Sequence, residues 1–210
     1  MPPASFNVDF RPAAKPPRMS KLLLLLGSIS ILAPFSLDLY LPALPSIAID
    51  LHAGAGSVQA TLPVFFVGLA VSQLFFGSIA DHLGRRPPLL CGLALVVTGS
   101  VGCALAQGIT ALTAWRLVQA LGVGSASVIP RAIVRDRFDV AHMARALSLL
   151  GLITGLGPIL APQLGGLVLM IGTWRLEFWL LALLGSASLI AASYALSESI
   201  PDERPSYSST

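Results

Sequence analysis

Gly77-Ser78-Ile79-Ala80-Asp81-His82-Leu83-Gly84-Arg85-Arg86 is a short polar turn set between two apolar runs, 57–80 and 88–107. Each run is long enough to cross a hydrocarbon core of about 30 Å, which takes about 20 apolar residues in a helix. Outward from this pair, four more runs of the same kind cover 22–43, 111–134, 146–171 and 176–197. All six are apolar on every face and rich in Leu, Ala and Gly. Membrane strands would instead show alternating polarity over about 10 residues. Within the turn, Gly77 and Ala80 end a helix in small residues that let a neighbouring helix approach. Asp81 stands at the membrane boundary, and Gly84 suits the positive φ of a tight turn. A merely solvated loop accounts for Arg85 and Arg86 but not for the Gly, Asp and Gly at these offsets.

Composition agrees. The 210 residues are 55% hydrophobic and 11% charged, with a mean hydropathy of +0.81. Soluble domains carry about 25% charged residues, and disordered chains are rich in charge and poor in apolar residues. Both classes are excluded. The sequence pI near 9.2 does not signal a nucleic-acid partner, because the net charge is only +3 and the basic residues sit in short scattered clusters.

The basic residues set an orientation. Arg11, Lys15, Arg18 and Lys21 precede the first run, Arg85 and Arg86 lie in the turn, and Arg131, Arg135, Arg137 and Arg145 surround the fourth loop. With Arg204 in the tail, they place 11 of the 13 Lys and Arg on one side. The positive-inside rule makes that side cytoplasmic, with both termini there. Residues 1–18 are Pro-rich and read as a disordered cytoplasmic amino terminus, with Met19 as an alternative start. The Leu22–Leu26 run resembles a signal peptide, but no small-x-small cleavage site follows, so it reads as an uncleaved first helix. Residues 19–197 read as the transmembrane domain, and 198–210 as a cytoplasmic tail or the start of a linker.

Soluble-enzyme chemistry finds no footing. Cys91 and Cys103 lie twelve residues apart on one helix, about 18 Å along the axis, too far to pair. His52, His82 and His142 read as loop residues without ligands at metal spacing, so no metal site is expected. A six-span intramembrane protease would want Gly-x-Ser-Gly in the fourth helix and a His in the sixth. Gly122-Val123-Gly124-Ser125 has the wrong order, and the sixth run holds no His. A serine without a base is not activated, and Ser125 and Ser127 read as small packing residues. The chain is not expected to be an enzyme.

The turn closely resembles the loop signature of the major facilitator superfamily, Gly-x-Leu-Ala-Asp-Arg-x-Gly-Arg-Arg/Lys, departing at Ile79 and His82. Ser36-Leu37-Asp38-Leu39-Tyr40-Leu41-Pro42-Ala43-Leu44-Pro45 is similar to the end of helix 1 in the bicyclomycin-resistance (Bcr/CflA) drug-efflux family. Arg116-Leu117-Val118-Gln119-Ala120-Leu121-Gly122 resembles the superfamily's helix 4 motif. Gly151 to Gly166, with Gly155, Gly157, Pro158, Pro162 and Gly165, resembles the antiporter motif of helix 5, and Trp174-Arg175 with Phe178-Trp179 extends the likeness. Four motifs in order, over about residues 19–200, make the resemblance specific.

The resemblance implies an all-α membrane protein, six transmembrane helices forming the amino-terminal half of a twelve-helix fold. It implies proton-driven export of small hydrophobic or amphipathic drugs across the bacterial inner membrane. The energy source would be the proton gradient, and no cofactor is expected. Partners are the lipid bilayer, drugs, protons and a second six-helix half. The alternative is a truncated, non-transporting half that serves only as an assembly partner or remnant.

Three groups of residues carry these expectations. Asp38 reads either as a proton- or cation-binding group in an aqueous cavity or as a headgroup-level Asp at the Tyr40-Leu41-Pro42 break. The resemblance implies a proton-coupling role for Arg116, with Gln119 on nearly the same face. Such an arginine lowers the pKa of a nearby carboxylate or ties helices through backbone carbonyls; otherwise it snorkels to the surface. Gly77, Asp81, Gly84, Arg85, Arg86 and Asp136 form the expected cytoplasmic gating loop. The Gly151–Gly155 pair predicts close helix packing, and the helix 5 motif implies a kink and a seal against proton leak. Trp174 and Trp179 are expected in the interfacial aromatic belt.

Overall fold

The computed structural model describes residues 19–196, which are helical throughout apart from short turns. Residues 1–18 and 197–210, and with them Arg11, Lys15, Arg18 and Arg204, lie outside the described residues. Six helical stretches are long and apolar enough to span a bilayer: span 1 (Lys21–Asp50), span 2 (Ala55–Leu83), span 3 (Arg86–Ala104), span 4 (Ile109–Arg137), span 5 (His142–Ile171) and span 6 (Arg175–Ala195). All six runs expected from the sequence are present.

Span 1 runs past its expected end at residue 43 because its prolines sit where helices tolerate them. Helix Leu32–Asp38 gives way to a 3₁₀ turn at Leu41–Ala43, and the chain re-enters α-helix over Leu44–Asp50. Pro42 and Pro45 are the second residues of those two segments, within the first turn, where a missing N–H costs nothing. Asp38 therefore lies nearer the middle of span 1 than its outer end. His82 and His142, expected in loops, are helical, at the end of Thr61–Leu83 and in the first turn of Val140–Ile171.

Span 4 is the centre of the bundle. It packs along spans 2 and 3, while span 6 covers span 3 and span 5 leans on span 1. Lipid provides no hydrophobic drive between helices, so close approach through small residues supplies the contact. A Cβ on Gly122 would fall 2.4 Å from the Val96 backbone nitrogen, and one on Gly99 would fall 2.5 Å from that of Gln119. Ser72 donates to the Leu121 carbonyl across the span 2–4 seam. Ser125 and Ser127 return their hydroxyls to the Gly122 and Val123 carbonyls of their own helix, at 2.8 and 3.0 Å. Cys91 is exposed and Cys103 buried, both free.

Spans 2 and 5 keep most of their surface uncovered; only 17% of each most apolar window is buried, against 72% for span 4. Phe66, Val67, Leu74 and Phe75 on span 2 are all at least half exposed.

Candidate functional site

Three groups of side chains stand out, one inside the bundle and two at its ends. Arg116, in the second turn of span 4, has no solvent exposure. Its Nη1 donates to the Ser36 carbonyl (2.7 Å) and to Gln119 Oε1 (2.8 Å), and Gln119 Nε2 donates to Ser100 Oγ (2.8 Å). This chain of bonds joins spans 1, 4 and 3. The missing Cβ at Gly99 is what brings span 3 within reach of Gln119. The guanidinium carbon lies 4.2 Å from the centre of the Phe65 ring, 4.3 Å from that of Tyr40 and 5.8 Å from that of Phe178. Such stacking supports a desolvated cation. Tyr40 shares a 2.9 Å hydrogen bond with Thr61, drawing in span 2. The expected snorkelling alternative is therefore overturned: rings and a carbonyl enclose Arg116 before it can reach a surface.

Sequence reasoning missed Glu177. It lies in the first turn of span 6, is 1% exposed, and faces Arg116 within electrostatic range. Read by position alone, a glutamate two residues after Arg175 passes for a headgroup-level charge. Asp38, by contrast, is half-buried, and among the described residues its carboxyl has no hydrogen bond or ion pair. It does not join Arg116.

At the Gly84 end, Gly84 adopts φ 87°, the left-handed backbone foreseen for the turn. Arg85 reaches two carboxylates, with Nη1 2.6 Å from Asp81 Oδ1 and Nε 2.7 Å from Asp136 Oδ2. Partial burial works against the charge on Arg85, but the two carboxylates outweigh it and hold its pKa above the ordinary value. Arg86 parts from the group and donates to the Ser193 carbonyl of span 6 at 2.9 Å. Gly77, Asp81, Arg85 and Asp136 line an open cleft of about 290 Å³ between spans 2 and 4. Nearby, Asp139 caps span 5, accepting the His142 backbone N–H at 3.0 Å with the His142 ring nitrogen 2.6 Å away. The backbone N–H first, then the ring, hold its carboxyl below the usual range. His142 thus has the carboxylate neighbour that the sequence reading did not see.

At the opposite end, Trp174 Nε1 donates to Asp50 Oδ2 at 3.1 Å, and Arg175 pairs with the same carboxylate. Arg175 also donates to the Ala106 carbonyl at 3.1 Å and lies over the Trp174 ring. Trp174 is 2% exposed and packs edge-on against Phe178, so its place in an aromatic belt is corrected. Trp179 is 44% exposed.

The span 5 glycines divide by face. Leu150, Ile153, Gly157, Ala161 and Gly165 recur at helical spacing toward span 1. A Cβ on Gly157 would sit 2.4 Å from Pro34, and one on Gly165 would sit 2.3 Å from the Leu39 carbonyl. Gly151, Gly155 and Gly166 meet nothing within 4 Å. The close packing expected at Gly151 and Gly155 is therefore absent within these described residues, because that pair lies out of phase with the seam. Pro158 and Pro162 lie inside the helix.

Residues 26–209 match the family model described as Major Facilitator Superfamily. The chain is 40% identical over 185 residues to "Uncharacterized MFS-type transporter YdgK" of Bacillus subtilis (strain 168), covering 87% of this chain and 46% of that one. It is 39% identical over 183 residues to "Multidrug resistance protein MdtL" of Escherichia coli (strain K12 / DH10B), covering 87% and 47%. The chain spans about half the length of the curated relatives it matches. Among solved structures, a D-xylose-proton symporter superposes with a TM-score of 0.75 at 16% identity, over 86% of this chain and 48% of the other. That likeness concerns the fold alone.

Proposed function

The chain belongs to the Major Facilitator Superfamily, and from that premise we propose that it is the amino-terminal half of a multidrug efflux transporter, a drug:proton antiporter of the Bcr/CflA kind. It sits in the bacterial inner membrane with both termini cytoplasmic. The observation that carries the reading is the guanidinium of Arg116, sealed at membrane depth and braced by Ser36, Gln119 and Ser100 on three spans. Charged groups buried in a bundle are costly and mark ion or substrate pathways. The name of the MdtL relative supplies the substrate class.

In this reading Asp38, Arg116 and Gln119 serve proton coupling or substrate binding: Asp38 faces a cavity whose other wall comes from a second six-helix half, and Arg116 and Gln119 are sealed behind that wall. Alternating access then rocks one half against the other about a midplane site. The Asp81–Arg85–Asp136 group latches spans 2 and 4 on the cytoplasmic side, in a cluster that forms in one state and breaks in the other. The open Gly151, Gly155 and Gly166 face, like the uncovered face of span 2, receives the second half. Gly157 and Gly165 keep span 5 sealed on span 1. Arg116 cannot act by losing its proton; it sets the charge state of a carboxylate beside it.

The test is accumulation of a fluorescent amphipathic drug in an efflux-deficient strain. The chain is expressed alone and together with a second six-helix half from a relative. Lowered accumulation with both halves, abolished by a protonophore and by Arg116→Ala, is expected. Unchanged accumulation with both halves present in the membrane overturns the reading.

A further inference from the structure

Arg116 uses only one of its nitrogens for hydrogen bonds. Its Nε and Nη2 are buried and have no acceptor among the described residues. Within electrostatic range of Arg116, Oε1 and Oε2 of Glu177 are buried and have no donor among the described residues. Two adjacent donors and two adjacent acceptors are thus left over on neighbouring charged side chains of spans 4 and 6. The Nε–Nη2 edge of a guanidinium and the two oxygens of a carboxylate form a matched bidentate pair when they meet. Here they do not meet, since no ion pair within 4.0 Å joins them.

A buried carboxylate left ionised and unpaired is strongly disfavoured, so the separated arrangement belongs to the protonated acid. The closed arrangement belongs to the carboxylate. We propose that Glu177 is a proton-binding site whose carboxylate closes as a bidentate ion pair on Nε and Nη2 of Arg116 and opens when a proton occupies it. The proton comes from water at the Asp50 end and adds to a carboxylate oxygen as the ion pair breaks; its release restores the pair. This deepens the antiport reading above by naming the carboxylate on which the buried arginine acts.

The surroundings limit what else could titrate there. From span 1 Tyr40 faces the pair, its hydroxyl bonded to Thr61, and from span 3 Cys103 lies in range of Arg116 and Tyr40. Spans 2 and 5 bring no titratable side chain to this depth, since residues 57–80 and 146–171 contain none. Arg175, on span 6 itself, is held by Asp50. Asp38, on span 1, has no electrostatic contact with either member of the pair among the described residues.

The chain contains three glutamates, Glu177, Glu198 and Glu203; Glu177 lies in span 6 and is the one glutamate among the described residues. Carboxyl-¹³C glutamate therefore isolates it in the unmutated protein. The full chain, labelled this way and held in lipid nanodiscs, is titrated by infrared difference spectroscopy. Expected is one labelled carboxylic-acid band from a water-poor site, titrating in a single step distinct from the two tail glutamates. Glu177→Gln removes it, and Arg116→Gln shifts its midpoint by about one pH unit or more. No such band in the unmutated chain, a band that survives Glu177→Gln, or a midpoint unmoved by Arg116→Gln overturns the proposal. The readout needs no transport. A titrating band with these properties establishes the site even where drug accumulation is unchanged, which would count against the antiport reading alone.

Discussion

Arg85 and Arg116 carry the same group in opposite surroundings. Arg85 lies at the Gly84 end with two carboxylates in direct contact, each substantially exposed. Arg116 is enclosed within the bundle and bonded to a carbonyl and an amide, with its nearest carboxylate held off. In water-rich surroundings opposite charges meet freely and gain little. Inside, the same charge must be braced by fixed dipoles and rings, and each brace counts for more. The difference separates a contact that can open and close at small cost from a framework on which the interior depends.

Removing Arg116 gives the largest contrast. Arg116→Ala strands Gln119 and the Ser36 carbonyl and empties a ring-lined space, with an expected loss of about 3 kcal/mol. Denaturant unfolding of the purified full chain in mixed micelles measures it. A loss no greater than that of Arg85→Ala breaks the comparison. Next comes Gln119→Leu, which keeps the volume but leaves Ser100 and Arg116 each short of one bond. It should cost about 1–2 kcal/mol by the same unfolding measurement, and a neutral outcome would mean the rings alone hold the guanidinium.

Arg85→Ala should cost under about 1 kcal/mol and lose half of that effect or more at high salt, because the pairs are exposed. A salt-independent cost would place Arg85 with Arg116. The smallest effect concerns Asp139. Its folded pKa is depressed, so its stabilising contribution is fully present above the ordinary carboxylate value near 4 and is lost as pH falls through the folded value. Amide exchange at His142 and Met143 should show protection at about pH 6 that weakens in acid, and Asp139→Ala should show the weak form throughout.

The six spans were legible because lipid leaves a chain few options: long apolar runs must become helices that satisfy their own backbone. The turn was legible for a local reason. Gly84, Asp81 and Arg85 lie within five residues of one another, so their geometry is written in the spacing. What was hidden depends on which face of one helix meets another. Nothing in the spacing told that Gly157 and Gly165 would meet span 1 while Gly151 and Gly155 would face away. Trp174 looked like a lipid anchor until Asp50, 124 positions earlier, was seen to accept its N–H. Glu177 was passed over for the same reason: its meaning comes from Arg116, which belongs to another span. Asp38 was read either as a proton- or cation-binding group or as a headgroup-level Asp, and the carboxylate within range of the buried arginine comes instead from span 6.

Arg85 and Arg86 are neighbours in the chain, yet they grip different helices. One binds Asp136 on span 4, and the other binds the Ser193 carbonyl near the end of span 6. Gly84, held in a backbone shape other residues resist, sets the angle from which both arms depart. Three consecutive residues therefore tie four of the six spans at one end, span 3 to spans 2 and 4 through Arg85 and to span 6 through Arg86. Opening the exposed Arg85 pairs would free spans 2 and 4 while the tie to span 6 stays in place.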